Sequence, residues 1–276
     1  MTRFGISTTS ADGYVSPDVL ARAVEERGFD WLLFDDHSYF PADTPAQEEI
    51  PAAFRARLPL VRDLPVVLAY ALSATRTLVV GSGVALLPQR DVLHTGKAVA
   101  TLATLSADRL VLGVGVGWNM GEVRNHGAEP ATRGAKLDEQ LTALRAIWTH
   151  EVTEFHGDHV DFGPIESRPR PVSPVPIYVG GASKAALSRT VRLADGWLPL
   201  APGTTADDVR SVRAWFAQQG RADLGTTVTE VPSEERLAAN YLEAGVDRVL
   251  FHLDPLNEGD TLAALDALAQ IAERLK

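Results

Sequence analysis

The chain has no cysteine. Disulfides, cysteine-held metal centres and thiol catalysis are excluded at once. It also has no basic stripe. Twenty-six lysines and arginines are scattered among 36 acidic residues, giving a net charge of −10. A nucleic-acid binder needs a basic patch, so nucleic acid is not an expected partner. Long apolar runs are missing too. The most apolar region, residues 64–89, is interrupted by Pro65, Arg76, Gly81, Gly83 and Pro88. A membrane helix needs about 20 apolar residues in succession; this region reads instead as a helix followed by a buried strand, and no membrane partner is expected. The first ten residues lack the apolar core of a signal peptide, so the expected location is cytoplasmic.

Several catalytic signatures are absent as well. There is no H-E-x-x-H, no G-x-S-x-G and no Walker loop. Gly113-Val114-Gly115-Val116-Gly117 looks like a dinucleotide fingerprint but fails its spacing, because Trp118 stands where the third glycine belongs. His156 and His159 flank Gly157-Asp158, which reads as a hairpin turn and not as a metal site.

What is present is a barrel-length alternation. The chain has 276 residues, 45% of them hydrophobic, enough for one large domain over 1–276 with a substantial core. Eight short apolar or β-branched runs stand out, at residues 3–7, 31–35, 78–84, 110–115, 176–180, 196–200, 226–231 and 248–253. The seventh is the most polar. Helical patterns fall between them. Residues 16–27 bury Val19, Leu20, Ala23 and Val24 on one face, with Ser16 as N-cap, Pro17 in the first turn and Gly28 as stop. Leu137, Leu141, Leu144 and Trp148 repeat at i, i+4, i+7 and i+11. Residues 185–194, 206–219, 233–244 and 261–276 behave similarly. Eight strand–helix alternations in this length predict an α/β fold, a (β/α)8 TIM barrel. Two pieces interrupt it: a Pro-, Ala- and acid-rich loop insertion after strand 2 (37–60), read as mobile, and a small hairpin before strand 5 (154–162), followed by a proline-rich stretch.

A barrel's active site lies at the C-terminal ends of its strands. Those ends offer Ser7 and Thr8; Asp35, Asp36 and His37; Gly83 and Val84; Gly115, Gly117, Trp118 and Asn119; Gly180, Gly181, Ala182 and Ser183; and His252 and Asp254. The glycines suit either a flat ligand approaching the backbone or simple strand-to-loop turns. Gly180 to Ser183 end a strand and open a helix, which is an anion site or a plain serine cap. His37 is the natural proton donor or acceptor, with a neighbouring carboxylate to orient it. Glu122 and Asn125, in a short helix after strand 4, reach the site or are solvated.

The ordered set of local matches resembles the bacterial-luciferase-like monooxygenase family. It includes Val111-Leu112-Gly113-Val114-Gly115-Val116-Gly117-Trp118, Pro88-Gln89-Arg90, Phe155-His156-Gly157, Pro169-Arg170-Pro171, Ile177-Tyr178-Val179-Gly180-Gly181, Ala194-Asp195-Gly196-Trp197 and Gly245-Val246-Asp247-Arg248. The resemblance covers nearly the whole chain and is greatest to the F420-dependent oxidoreductase subgroup. It implies coenzyme F420 as cofactor, with FMN as the alternative, and a small organic substrate. It implies a non-prolyl cis peptide at Gly83–Val84, give or take one residue, supporting the cofactor ring. Gly115, Gly117 and Trp118 would flank that ring, and Gly180, Gly181, Ala182 and Ser183 would hold the phosphate. Asp36 and His37 match the family's acid–histidine pair, with Asp36 both contacting cofactor and assisting His37 in proton transfer. Homodimers are common in the family. Some members carry a glutamate where this chain has Trp118, so that acid catalyst does not transfer. Three functions follow: hydride transfer to or from F420, an FMN monooxygenase fed by a separate flavin reductase, or a non-catalytic flavin-binding protein.

Overall fold

A computed structural model describes residues 4–42 and 50–276. In chain order its elements are β1 (Phe4–Thr8), α1 (Pro17–Glu26), β2 (Trp31–Phe34), α2 (Ala52–Arg57), α3 (Leu64–Ser73), β3 (Val79–Leu86), α4 (Val92–Leu105), β4 (Leu110–Gly115), α5 (Met120–Asn125) and α6 (Arg133–Thr149). Then come β5 (Val152–His156), β6 (Asp161–Glu166), β7 (Ile177–Gly180), α7 (Lys184–Leu193), β8 (Gly196–Leu198), α8 (Ala206–Gln218), β9 (Gly225–Val231), α9 (Glu235–Glu243), β10 (Arg248–Leu253) and α10 (Glu258–Arg274).

Eight parallel strands close into a barrel in the order β1-β10-β9-β8-β7-β4-β3-β2, and β5 and β6 form a separate antiparallel hairpin. The TIM-barrel expectation is met, with the hairpin before the fifth barrel strand. Each of the eight apolar runs became a barrel strand, including the polar seventh, whose Thr226, Thr227 and Thr229 are buried. Their β-branched shape suits a pleated surface.

Two apolar layers hold the barrel. The larger lies between strands and helices and includes Leu20, Val24, Leu141, Leu144, Trp148 and Leu265. The smaller fills the barrel interior with Trp31, Leu33, Val111, Tyr178, Leu198 and Leu250. Gly196 and Gly225 make room for Tyr178, because a Cβ on them would fall 2.3 Å and 2.6 Å from atoms of that ring and its hydroxyl. Trp148, read as helix-face core, is buried and donates its indole N–H to the Gly96 carbonyl at 3.0 Å.

Some local expectations are corrected. Ser16 occupies the N-cap of α1 without a side-chain bond to the helix backbone; its hydroxyl donates to Asp18 Oδ1 at 2.6 Å. Gly28 does follow the helix in a left-handed conformation, φ +74°. The insertion contains a helix, α2, capped by Pro51, and Pro51, Ala53, Phe54 and Arg57 line the cavity at the barrel mouth. Residues 43–49 of that insertion, and residue 3 of the first strand expectation, lie outside the described residues.

The decisive irregularity is in β3. Its pairing with β4 steps from Ser82↔Leu112 to Ala85↔Val114, so β3 carries one residue more than its partner between these points. Gly83 and Val84 occupy that bulge, and the peptide between them is cis. The bulge brings these two residues to the mouth of the barrel.

Candidate active site

Two cavities open at the C-terminal ends of the strands. The first, about 550 Å³, is lined by Asp35, Asp36 and His37 from the end of β2, by Gly83 and Val84 from the β3 bulge, and by Trp118 after β4. Glu230, His252 and the α2 side chains close its other side. The second, about 370 Å³, is lined by Gly115 of β4, Gly180 to Ser183 at the β7–α7 junction, and Arg133 and Arg189.

Val84 stands between them. A Cβ on Gly115 would lie 2.6 Å from Val84 Cγ2, and one on Gly180 would lie 2.8 Å from Val84 Cγ1. Both glycines accommodate the Val84 side chain, and any larger residue would displace it. Gly181 has φ +91°, and a Cβ there would meet Ala186 Cβ at an ordinary contact distance of 3.8 Å. Ser183 caps α7, accepting from the Ala186 N–H at 3.2 Å. Gly117 takes φ +81° and lies beside the Gln89 amide, lining neither cavity.

His37 is 6% exposed, and its Nδ1 lies 2.9 Å from Oε2 of Glu122. Glu122 is fully buried in α5, and its other oxygen accepts from the Ser38 N–H. Burial alone would push the His37 ring toward neutrality. The hydrogen bond and charge of Glu122, with smaller contributions from Asp35 and Asp36, outweigh it and raise the pKa. The ring also meets Trp118 edge to face, with centroids 5.8 Å apart.

Asp36, expected to assist His37, acts on the ring through its charge and makes its hydrogen bonds elsewhere. The Asp36 carboxylate is committed to Arg90, accepting from Nε at 2.9 Å and from Nη2 at 2.6 Å, and it also accepts from the Leu86 N–H. A bidentate guanidinium clamp is a strong charge-assisted contact. It ties the end of β2 to the end of β3, and the histidine's carboxylate partner comes from Glu122. Asn125 is exposed.

Opposite His37 stands a second polar group. Asp35 Oδ2 accepts from the Thr9 hydroxyl at 2.6 Å, and burial pushes its carboxyl up to about 6. His252 pairs with Glu230 and, at 3.4 Å, with Asp254, which in turn holds Arg57 Nη1 at 2.7 Å. The Glu230 hydrogen bond outweighs desolvation and raises the His252 pKa. Glu230 adopts φ +57°, uncommon for a residue with a side chain. The β9–β10 register slips there, which turns this residue toward the mouth.

His156 lies exposed on the hairpin with Asp161, and the turn N–H groups of Asp158, His159 and Val160 bind Glu139. Among the described residues no cluster suited to a metal ion occurs.

The luciferase-like monooxygenase family model matches residues 7–243. The chain belongs to this family. A Mycobacterium tuberculosis protein of uncharacterized function is 32% identical over 275 residues, covering 96% of this chain and 97% of the relative. An F420-dependent glucose-6-phosphate dehydrogenase of Nakamurella multipartita is 31% identical over 188 residues, 65% of this chain and 50% of that one. Among solved structures, an F420-dependent secondary alcohol dehydrogenase in complex with an F420-acetone adduct superposes with a TM-score of 0.78 at 14% identity, covering 100% of this chain and 99% of the other. A monooxygenase from Streptomyces bottropensis gives 0.77 at 17%, covering 97% and 98%. These two structural likenesses show the fold. With family membership, the luciferase-like chain is an oxidoreductase or monooxygenase.

Within that family frame, Asp36, His37, Gly83, Val84 and Trp118 meet in one cavity, and Gly115, Gly180, Gly181, Ala182 and Ser183 meet in its neighbour. Sequence reasoning missed Arg90, Arg133, Glu230 and Arg57. A single arginine outside the strand ends carries no signal of its own, and Glu230 is aimed by a register slip that leaves no mark in the sequence.

Proposed function

We propose that the chain is an F420-dependent oxidoreductase, exchanging a hydride between the deazaflavin and an organic substrate in the larger cavity. The observation that supports this best is the position of Val84, between a cavity holding a buried proton-exchanging histidine and one built for an anion. The second cavity combines glycines, the start of α7 and Arg133, which makes no ion pair among the described residues. Free N–H groups at a helix start with an uncompensated cation suit a phosphate. A long ligand with a flat ring at one end and a phosphate at the other fits both cavities at once, its ring against Gly83 and Val84. The F420-dependent relatives point the same way.

A bound deazaflavin would supply or accept the hydride. The chain's own residues would do the rest. Glu122 holds Nδ1 of His37, so the proton exchanged with substrate is the one at Nε2. Asp36, clamped to Arg90, fixes the β2 end beside the ring. Trp118 forms a wall next to His37 and keeps water from that side. Gly180 to Ser183 and Arg133 hold the phosphate, and Gly115 and Gly117 shape the loop beside the ring. A homodimer, a cytoplasmic location and one domain over residues 1–276 belong to the same proposal.

The test is titration of the purified chain with oxidised F420 and, separately, FMN, followed by calorimetry. Micromolar binding of F420 with weak FMN binding is expected. Preference for FMN would instead make the chain a flavin monooxygenase served by a separate reductase. Tight binding with no turnover of any acceptor would leave a cofactor-binding protein, and binding of neither would overturn the cofactor assignment.

A further inference from the structure

A third cavity, about 340 Å³, is lined from both α3 and α4 and is neither of the two described above. That volume suits a small organic molecule. Its floor is apolar: Leu64 and Leu68 of α3, Ala98 and Leu102 of α4, and Leu112 of β4. Asp36 is the one residue it shares with the larger cavity. Arg90 lines it too, so an occupant rests beside the ion pair that fixes the β2 end.

The polar side chains around this cavity have partners, with one exception. Ser38 Oγ and His126 Nε2 are hydrogen-bonded at 2.6 Å. Asp63 and Asp91 cap α3 and α4, accepting from the Val66 and His94 N–H groups. Asp91 also pairs with the His94 ring, and Thr95 donates to the Asp91 carbonyl. Gln89 is the exception. It is 9% exposed, its Nε2 is shut off from solvent without an acceptor, and among the described residues neither end of its amide forms a hydrogen bond. A buried amide of this kind calls for a partner that donates and accepts side by side. Charge narrows the choice. A negative ligand would face Asp36, Asp63 and Asp91, while Arg90 is already held by Asp36. A carboxamide matches the Gln89 amide without bringing a negative charge.

We propose that this cavity is a further ligand site, separate from the substrate and cofactor cavities. It takes an apolar molecule bearing a carboxamide, whose oxygen accepts from Gln89 Nε2 and whose N–H donates to Gln89 Oε1. The apolar body lies on Leu68, Ala98 and Leu102, and a carboxylate of the same shape is turned away. A site built around a hydrogen bond to its ligand discriminates strongly against ligands that cannot complete it. None of this depends on which cofactor the chain binds.

The test titrates benzamide and benzoate into the full chain, with methyl-labelled leucines, at pH 7.5 and follows the protein by NMR. The Leu68 and Leu102 methyls are expected to shift with benzamide, and benzoate to bind about tenfold more weakly or worse. Gln89→Leu should weaken benzamide about tenfold. Ala98→Trp, which fills the cavity, should abolish the shifts. Circular dichroism checks both variants; they attack the site from different sides, so either decides the point if the other fails to fold. Leu68 and Leu102 methyls that do not move would overturn the inference, as would benzoate binding as tightly as benzamide, or either variant binding benzamide as wild type does. The readout needs no cofactor, so it is independent of the F420 and FMN titrations.

Discussion

His37 and Glu122 are 85 residues apart in the chain, and in the fold the imidazole Nδ1 and the carboxylate lie 2.9 Å apart, both out of solvent. The carboxylate raises the His37 pKa, so the ring stays protonated to higher pH than an ordinary histidine. If that proton is used in turnover, kcat falls as pH rises through the raised value. Glu122→Gln removes the charge and keeps the shape, so the fall should move toward acid. An unmoved pH profile would give Glu122 a packing role only.

The same pair contributes to stability with a definite sign. A raised histidine pKa stabilises the fold fully below the unfolded value, about 6.5, and the contribution fades as pH rises through the folded value. Glu122→Ala should therefore cost about 3 kcal/mol at pH 5.5 and less at pH 9. Urea unfolding at both pH values measures this.

His37→Ala should lower kcat about a hundredfold while changing the F420 dissociation constant less than about threefold. Equal losses in turnover and affinity would make His37 a binding residue.

Gly115→Ala places a methyl where Val84 Cγ2 already sits. A loss of roughly 1–3 kcal/mol is expected. Adding Val84→Ala should recover part of it, because the two residues contact each other and do not act additively. Additive losses in a double-mutant cycle would show that the wall between the cavities does not depend on this contact.

Arg133→Ala should weaken FMN or F420 by about tenfold or more, the loss of one charge-assisted contact. Riboflavin, which lacks the phosphate, should bind wild type and variant alike. An equal effect on riboflavin would place Arg133 near the ring.

Asp35, pushed up to about 6 by burial, works against folding once ionised. A carboxyl with a raised pKa favours the folded state while protonated, and that benefit is lost as pH rises through about 6. Asp35→Asn should then be more stable than wild type by roughly 2–3 kcal/mol at pH 8 and nearly equal to it at pH 4. Thermal melts at the two pH values decide the point.

The sequence by itself determined the barrel. Continuous apolar runs separated by period-3.6 stripes leave each strand apolar toward both layers and each helix apolar on one side. Eight such units at this length close most economically on themselves. The strand ends then follow, so His37, Gly83, Val84, Trp118 and Gly180 were readable as neighbours without coordinates. Only the tertiary structure decided the pairing. Asp36 sits next to His37 in the chain, yet successive side chains at a strand end point to opposite sides, which sends Asp36 to Arg90 and leaves His37 to Glu122. Glu230 was hidden for a related reason: one extra residue in β9 changes the side to which everything beyond it points. The purpose of Gly115 and Gly180 was equally out of reach, because it lies in the width of a valine on a different strand.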